Sequence, residues 1–375
     1  MNLTTNEVMQ MLRESAYRCF AEAEPAKALR RDRDARDLDA LGRGLWSEMI
    51  PLGLPGVLVS EEFGGSGLGF RESIQVSEMM GRSLALGPYL STAVMAATAI
   101  GHGDNATMQR ELLPAIASGE MIVAPAVEER PRHGSLDITT FASRSQDAYR
   151  INGRKTAVID ANVADRLIIL ARDENAPEEL LLFLVPANTA GVSCTAAMGV
   201  DSHPICTVEL SDVQASVDDL VCATAQTAAL LERVHDAGRL HLAAELVGLA
   251  AEAFDRTIEY LKTRVQFGKR IGEFQALQHR AAILFGEIEV ASSVVLKAAT
   301  LHDANDPRFP AYASLAKAKA GEVAKHVTAE AVHLHGGLGM TDDFDMGFYI
   351  KRARAASERL GDTAWLQQRW LTQHF

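Results

Sequence analysis

The sequence is poor in sulfur chemistry. It has four cysteines, Cys19, Cys194, Cys206 and Cys222, and none falls in a C-x-x-C pair. That excludes a disulfide framework and a thiolate zinc knuckle, and predicts a reduced, cytoplasmic protein with no structural metal. The start, Met1 to Phe20, lacks the apolar core of a secretory signal. Long hydrophobic runs are missing too. The longest uncharged stretch, Ser83 to Gly101, is broken by Gly87-Pro88 and ends mostly in Ala and Thr, which predicts two short helices and no membrane span. Positive charge is in deficit: 37 Lys and Arg face 49 Asp and Glu, a net charge of -12. Such a surface argues against nucleic acid or an anionic membrane as partner, and leaves room for a local basic pocket.

Several nucleotide and hydrolase motifs are also absent. There is no G-x-x-x-x-G-K-[ST], no H-E-x-x-H and no G-x-S-x-G. The clusters Gly65-Ser-Gly67-Leu-Gly69 and Gly336-Gly337-Leu-Gly339 are incomplete as G-x-G-x-x-G, and neither follows a strand in a βαβ unit. His333 and His335 have no carboxylate or thiol at ligand spacing, so they predict imidazoles near a helix end and no metal site.

What is present divides the 375 residues into three zones. Residues 1–120 read as helical, with apolar positions at three- and four-residue spacing through Glu7 to Glu22, Asp37 to Met49 and Phe70 to about Ser118. Pro51, Gly53, Pro55 and Gly56 punctuate a loop between them. Residues 121–222 carry short β-type runs, Arg166 to Leu170 and Leu180 to Val185, between turn signals at Asn152-Gly153, Pro186 to Asn188 and Gly191. They predict an antiparallel sheet or small barrel. Residues 223–375 return to helix. Thr224 to Lys262 has no proline and only two glycines, Gly238 and Gly248. Further helices are predicted over Phe274 to Asp303, Pro310 to His335, Met346 to Leu360 and after Gly361, the composition of a bundle. The fold class is α+β, a helical domain, then a β-barrel or sheet domain, then a four-helix bundle.

The chemistry concentrates in Tyr260-Leu-Lys-Thr-Arg264-Val-Gln-Phe267-Gly268 and the following Gln275 to His279. A long helix ends, a short turn follows, and Gln275 opens the next helix. This offers a guanidinium for a diphosphate, an aromatic face for stacking and an amide for a polar edge. A bundle-end ion pair at Arg264 and a core plug at Phe267 would satisfy the same spacing.

Tyr260 to His279 resembles a signature of the acyl-CoA dehydrogenase flavoproteins, and His335-Gly-Gly-Leu-Gly-Met-Thr341 resembles that family's second signature. Glu61 to Gly67, Ile151 to Lys155 and Ala243 to Gly248 fit as well, so the likeness covers nearly the whole chain. It implies FAD bound between subunits. The residue matching Arg264 holds the diphosphate, the one matching Phe267 packs on the adenine side, and Gln275 with Gly336-Gly337 completes that half-site. The implied reaction is α,β-desaturation of an acyl-CoA thioester, with a carboxylate taking the α-proton and the β-hydrogen leaving as hydride to flavin N5. Electron-transfer flavoprotein is the implied acceptor.

The chain departs from this pattern at the base. The family's usual Glu falls on Leu360, and the alternative Glu of some members falls on Gly238, before Arg239. Neither residue takes a proton. The Thr-Glu-Pro-Gly segment beside the flavin reads Val127-Glu128-Glu129-Arg130-Pro131, and the Trp-Ile-Thr strand reads Ala157-Val158-Ile159. Nearby carboxylates are Asp236, Glu358 and Asp362. Asp362 stands as a displaced base or as the N-cap of the following helix. The tail resembles small subunits of heteromeric acyl-CoA dehydrogenases of the pimeloyl-CoA and steroid-catabolic types. The expected assembly is therefore a hetero-oligomer, α2β2, in which a second subunit supplies the base. A self-sufficient homomer using Asp362 and a non-catalytic scaffold are the alternatives.

Overall fold

The computed structural model describes residues 6–38, 43–130, 133, 138–146 and 148–374. Pro131 lies outside them, as do residues 1–5 and residues 39–42 of the predicted helical stretch Asp37 to Met49. The helices are α1 (Glu7–Ala23), α2 (Pro25–Ala35), α3 (Arg43–Met49), α4 (Phe70–Ser83), α5 (Ala97–Gly101), α6 (Ala106–Ala117), α7 (Thr224–Thr263), α8 (Gln275–Asp303), α9 (Phe309–His335), α10 (Met346–Glu358) and α11 (Thr363–His374). The strands are β1 (Val123–Ala126), β2 (Phe141–Ser145), β3 (Ala148–Ile159), β4 (Arg166–Asp173), β5 (Leu180–Pro186), β6 (Val192–Met198), β7 (Pro204–Ser216), β8 (Val265–Gln266) and β9 (Lys269–Arg270). Among the described residues no helix is long and apolar enough to cross a membrane. The Ser83–Gly101 run breaks before Pro88, and Tyr89–Ala96 winds as a wide π-type turn leading into α5.

The chain forms two compact units. One contains residues 1–28, 70–85 and 239–375. Here α9 is the central helix, packed by α8, α10 and α11. Its sequence explains this: Ala313, Ala316, Ala320, Ala324 and Ala331 are all buried, and small side chains let neighbouring helices approach. Helices α4 and α7 meet backbone to backbone. A Cβ on Gly81 would collide with the Glu245 carbonyl, and one on Gly248 with the Glu78 carbonyl. The start of α4 is capped by a residue far along the chain: the Asp303 carboxylate accepts the N–H groups of Phe70 at 2.7 Å and Arg71 at 3.0 Å.

The other unit, residues 29–69 and 86–238, is built on a seven-stranded sheet ordered β1-β4-β2-β3-β7-β6, with β5 also paired to β4. The sheet is mixed. β1 and β2 both run parallel to β4, and the other pairs are antiparallel. This corrects the expectation of a wholly antiparallel sheet; the parallel pairs join segments with no hairpin between them, so turn signals do not reveal them. Asn152-Gly153 is likewise a correction. It lies inside β3, at a break in register with β7. Gly153 is needed for close approach to Thr140, whose side chain would meet any Cβ there. The core contains Ile151, Leu167, Ile169, Phe183, Val208 and Val213.

Candidate active site

The α7–α8 junction carries the predicted diphosphate grip. Helix α7 stops at Thr263, and β8 and β9 form a two-residue ladder across a turn at Phe267-Gly268. Both turn residues have positive φ, 54° and 79°, the geometry that suits a tight hairpin. Phe267 is consequently thrust into solvent at 90% exposure, its ring edge-on to Phe274 at 6.2 Å. The core-plug alternative for Phe267 is thereby excluded. Arg264 is exposed, and its guanidinium makes no hydrogen bond or ion pair among the described residues. Its backbone is fixed, because Arg264 N–H donates to the Tyr260 carbonyl at 2.8 Å and Ile271 N–H donates to the Arg264 carbonyl at 2.9 Å. Gln275, also exposed, is the first residue of the 29-residue α8, where free backbone N–H groups favour an anion.

The second signature sits at the end of α9. Gly336 takes φ 61°, ψ -137°, and open space surrounds both Gly336 and Gly337. His335 is buried and stacks on Tyr260 with ring centroids 4.5 Å apart, which ties the ends of α7 and α9 together. Its Nδ1 donates to the Ala331 carbonyl at 2.8 Å, and burial lowers its pKa, so it is held neutral. Its Nε2 is buried without a hydrogen-bond partner. His333 instead receives a hydrogen bond from Arg280 at 2.8 Å.

The α10–α11 turn, where the sequence resemblance places the base, is closely packed. Leu360 is half-buried with φ 54°, an uncommon conformation for a leucine. Its carbonyl accepts Arg239 Nε at 3.1 Å, and Arg239, fully buried, lies over the Trp365 ring at 5.0 Å. Lys317, 1% exposed, donates to the carbonyls of Ser357 at 3.0 Å and Gly361 at 2.8 Å. Burial and the neighbouring Arg239 push Lys317 down to about 7. Gly361 has φ 111° with Trp365 2.6 Å from where its Cβ would be, so no other residue fits the turn. The Asp362 carboxylate accepts Trp365 N–H at 2.8 Å, a helix N-cap for α11. Glu358 is exposed, and Gly238 immediately precedes Arg239 on α7. Sequence reasoning missed Lys317. Its signal was a single cation on the Ala313–Ala320–Ala324 face of α9.

In the sheet unit the segment after β1, residues 127–130, is anchored by a buried ion pair. Lys155 Nζ lies 2.6 Å from the Glu129 carboxylate and donates to the Val127 carbonyl at 3.3 Å. Glu129 also accepts from Thr139 and Thr140. Burial would raise the Glu129 pKa, but Lys155 and these donors outweigh it and hold it at about 2; burial brings Lys155 down to about 8. Ala157, φ 53°, is exposed at a bulge of β3.

Family comparisons agree with this layout. The chain matches the acyl-CoA dehydrogenase N-terminal domain over residues 6–120, the middle domain over 130–213 and the C-terminal domain over 209–368. Acyl-CoA dehydrogenase FadE12 of Mycobacterium tuberculosis is 33% identical over 321 residues, 83% of this chain and 82% of that protein. The structure of the ChsE4-ChsE5 complex from Mycobacterium tuberculosis superposes with a TM-score of 0.86 at 25% identity, covering 100% of this chain and 99% of that one. The Tcur3481-Tcur3483 steroid ACAD, in a variant form, gives 0.86 at 29% identity, covering 98% and 97%. The chain belongs to the acyl-CoA dehydrogenase family of FAD-dependent oxidoreductases.

Proposed function

We propose that this chain is one subunit of a heteromeric acyl-CoA dehydrogenase, contributing the FAD-diphosphate half-site to a centre whose base comes from a second, homologous subunit. The observation that carries this is the α10–α11 turn. Leu360 stands where the resemblance places the base, its carbonyl is held by Arg239, and the adjacent Asp362 carboxylate caps α11. The α7–α8 junction fits the cofactor. An exposed guanidinium at Arg264, an exposed ring at Phe267 and the N-terminus of α8 at Gln275 match a diphosphate with an attached aromatic group. Gly336 and Gly337 leave space beside the buried, partnerless Nε2 of His335. FAD, when bound, accepts the hydride that leaves the acyl β-carbon. This chain's residues bind and orient the cofactor; a carboxylate of the partner takes the α-proton.

The likeness to the ChsE4-ChsE5 complex and to a steroid ACAD supports a heteromeric partner and a steroid-derived acyl-CoA substrate. Exposed Val265, Ile283, Phe285, Val290 and Met340 on the bundle unit supply apolar surface for that partner. We assign the assembly as α2β2 with one FAD for every two chains, and electron-transfer flavoprotein as the electron acceptor. The test is expression alone and with a homologue that carries a base Glu, followed by mass measurement and flavin quantitation. A flavin-poor, inactive chain alone and a yellow, active complex are expected. One FAD per chain in an active homo-oligomer would overturn the proposal.

A further inference from the structure

Three metal-ligating side chains meet in the sheet unit. Glu128 lies two residues beyond β1, His133 is five positions further along the sequence, and His235 stands on the first third of α7. Their ligand atoms all lie within 4.8 Å of one another. His133 Nδ1 and the Glu128 carboxylate are in hydrogen-bond contact. The His133 and His235 rings meet edge to face, centroids 5.0 Å apart at 84°. Glu128 and His133 are half-buried and His235 is buried.

The backbone that presents these groups is fixed at two of the three positions. The Glu128 carbonyl accepts Thr156 N–H at 2.7 Å, and the next residue is held by the Glu129–Lys155 pair. His235 is held by the helix. Glu128 belongs to the Val127 to Pro131 segment, where the sequence departs from the resemblance. The inference is independent of the heteromeric reading, since every residue it uses is in this chain.

We propose that Glu128, His133 and His235 form a binding site for one divalent transition-metal ion. Two neutral imidazoles and one carboxylate are a donor set suited to Zn²⁺, Co²⁺ or Ni²⁺, whereas Mg²⁺ and Ca²⁺ favour oxygen ligands throughout. With Zn–N and Zn–O bonds of about 2.0–2.2 Å, ligand atoms around a tetrahedral ion stand roughly 3.3 Å apart. Three protein ligands leave a coordination position for water or another small ligand. The ion's charge is balanced in part by Glu128, while Glu129 is already neutralised by Lys155.

The test uses the full-length chain with no affinity tag, stripped with chelator and dialysed. Co²⁺ is titrated in and followed by its visible absorption, then displaced by Zn²⁺, and bound metal is counted by elemental analysis. One equivalent of Co²⁺, displaced by Zn²⁺, is expected. His133→Ala and Glu128→Gln should each weaken binding by about tenfold or more, the scale on which even outer-shell changes act. Both sit in a loop and report independently of His235→Ala, which alters a buried helical position. No stoichiometric uptake would overturn the site, as would unchanged Co²⁺ affinity in folded His133→Ala and Glu128→Gln proteins.

Discussion

At the α7–α8 junction Arg264 and Phe267 face outward, and the guanidinium has no partner within the described chain. At the α10–α11 turn Arg239 and Lys317 are buried, and each donates to backbone carbonyls of the turn itself. One corner is left open for something that is not this chain. The other is closed by its own packing. Under the proposed heteromeric function, the contrast is that of a fold keeping half of a shared site. On that reading, residues meant to bind across an interface stay exposed and strained, and Phe267 is 90% exposed at φ 54°. At the closed corner Arg239 and Lys317 hold the backbone around Leu360.

The comparison is broken most sharply by activity. If the closed corner has no base, the chain alone should desaturate acyl-CoA at a rate lower than its complex by at least the 10²–10⁴-fold that a general base contributes, about the minimum loss expected. Comparable rates for the chain alone and the complex would return the base to this chain.

The next effect is on stability. Lys317→Met removes the donor from two carbonyls, and each stranded acceptor costs about 1–3 kcal/mol, read by chemical denaturation. The loss should also depend on pH. Lys317 is pushed down to about 7 when folded, against about 10.4 in an unfolded chain. Between these values the unfolded chain binds a proton that the folded chain does not. Wild-type stability relative to Lys317→Met should therefore rise from pH 7 to 9, by at most about 1.4 kcal/mol per pH unit, and level off below about pH 6. A constant difference across that range would mean that Lys317 stays charged when folded.

Much of the open corner was legible because its signals are local. The end of α7, the turn at Phe267-Gly268 and the start of α8 follow one another in sequence, and the proline-free run of Thr224 to Lys262 marks the helix within a residue. The closed corner was legible only in part. Leu360 and Gly238 announce a missing carboxylate, but the Arg239 and Lys317 grip joins three distant helices, which periodicity cannot pair. The same limit hid the parallel β1–β4 and β2–β4 pairs and the meeting of Glu128, His133 and His235. At Gly153 the local signal misled, since glycine serves close approach inside a strand as well as a turn.

At the open corner, Arg264→Ala should leave the fold intact, because the side chain has no internal partner to lose. In the complex it should weaken FAD retention by about tenfold to a hundredfold, the worth of a charge-assisted contact of about 1.5–3 kcal/mol. Flavin release on dilution measures it. Unchanged retention with normal folding would remove Arg264 from the half-site.

The smallest expected effect separates the two roles left for Asp362. Its carboxylate caps α11 by accepting Trp365 N–H. Asparagine caps about as well as aspartate, so Asp362→Asn should change neither stability nor the activity of the complex by more than a few-fold. Asp362→Ala loses the acceptor and should cost about 0.5–2 kcal/mol of stability with activity retained in the folded complex. A base behaves oppositely, because an amide keeps the cap and cannot take a proton. If Asp362→Asn folds normally, keeps its flavin and still loses about 10²–10⁴-fold in activity, then Asp362 is the displaced base and the closed corner is catalytic after all.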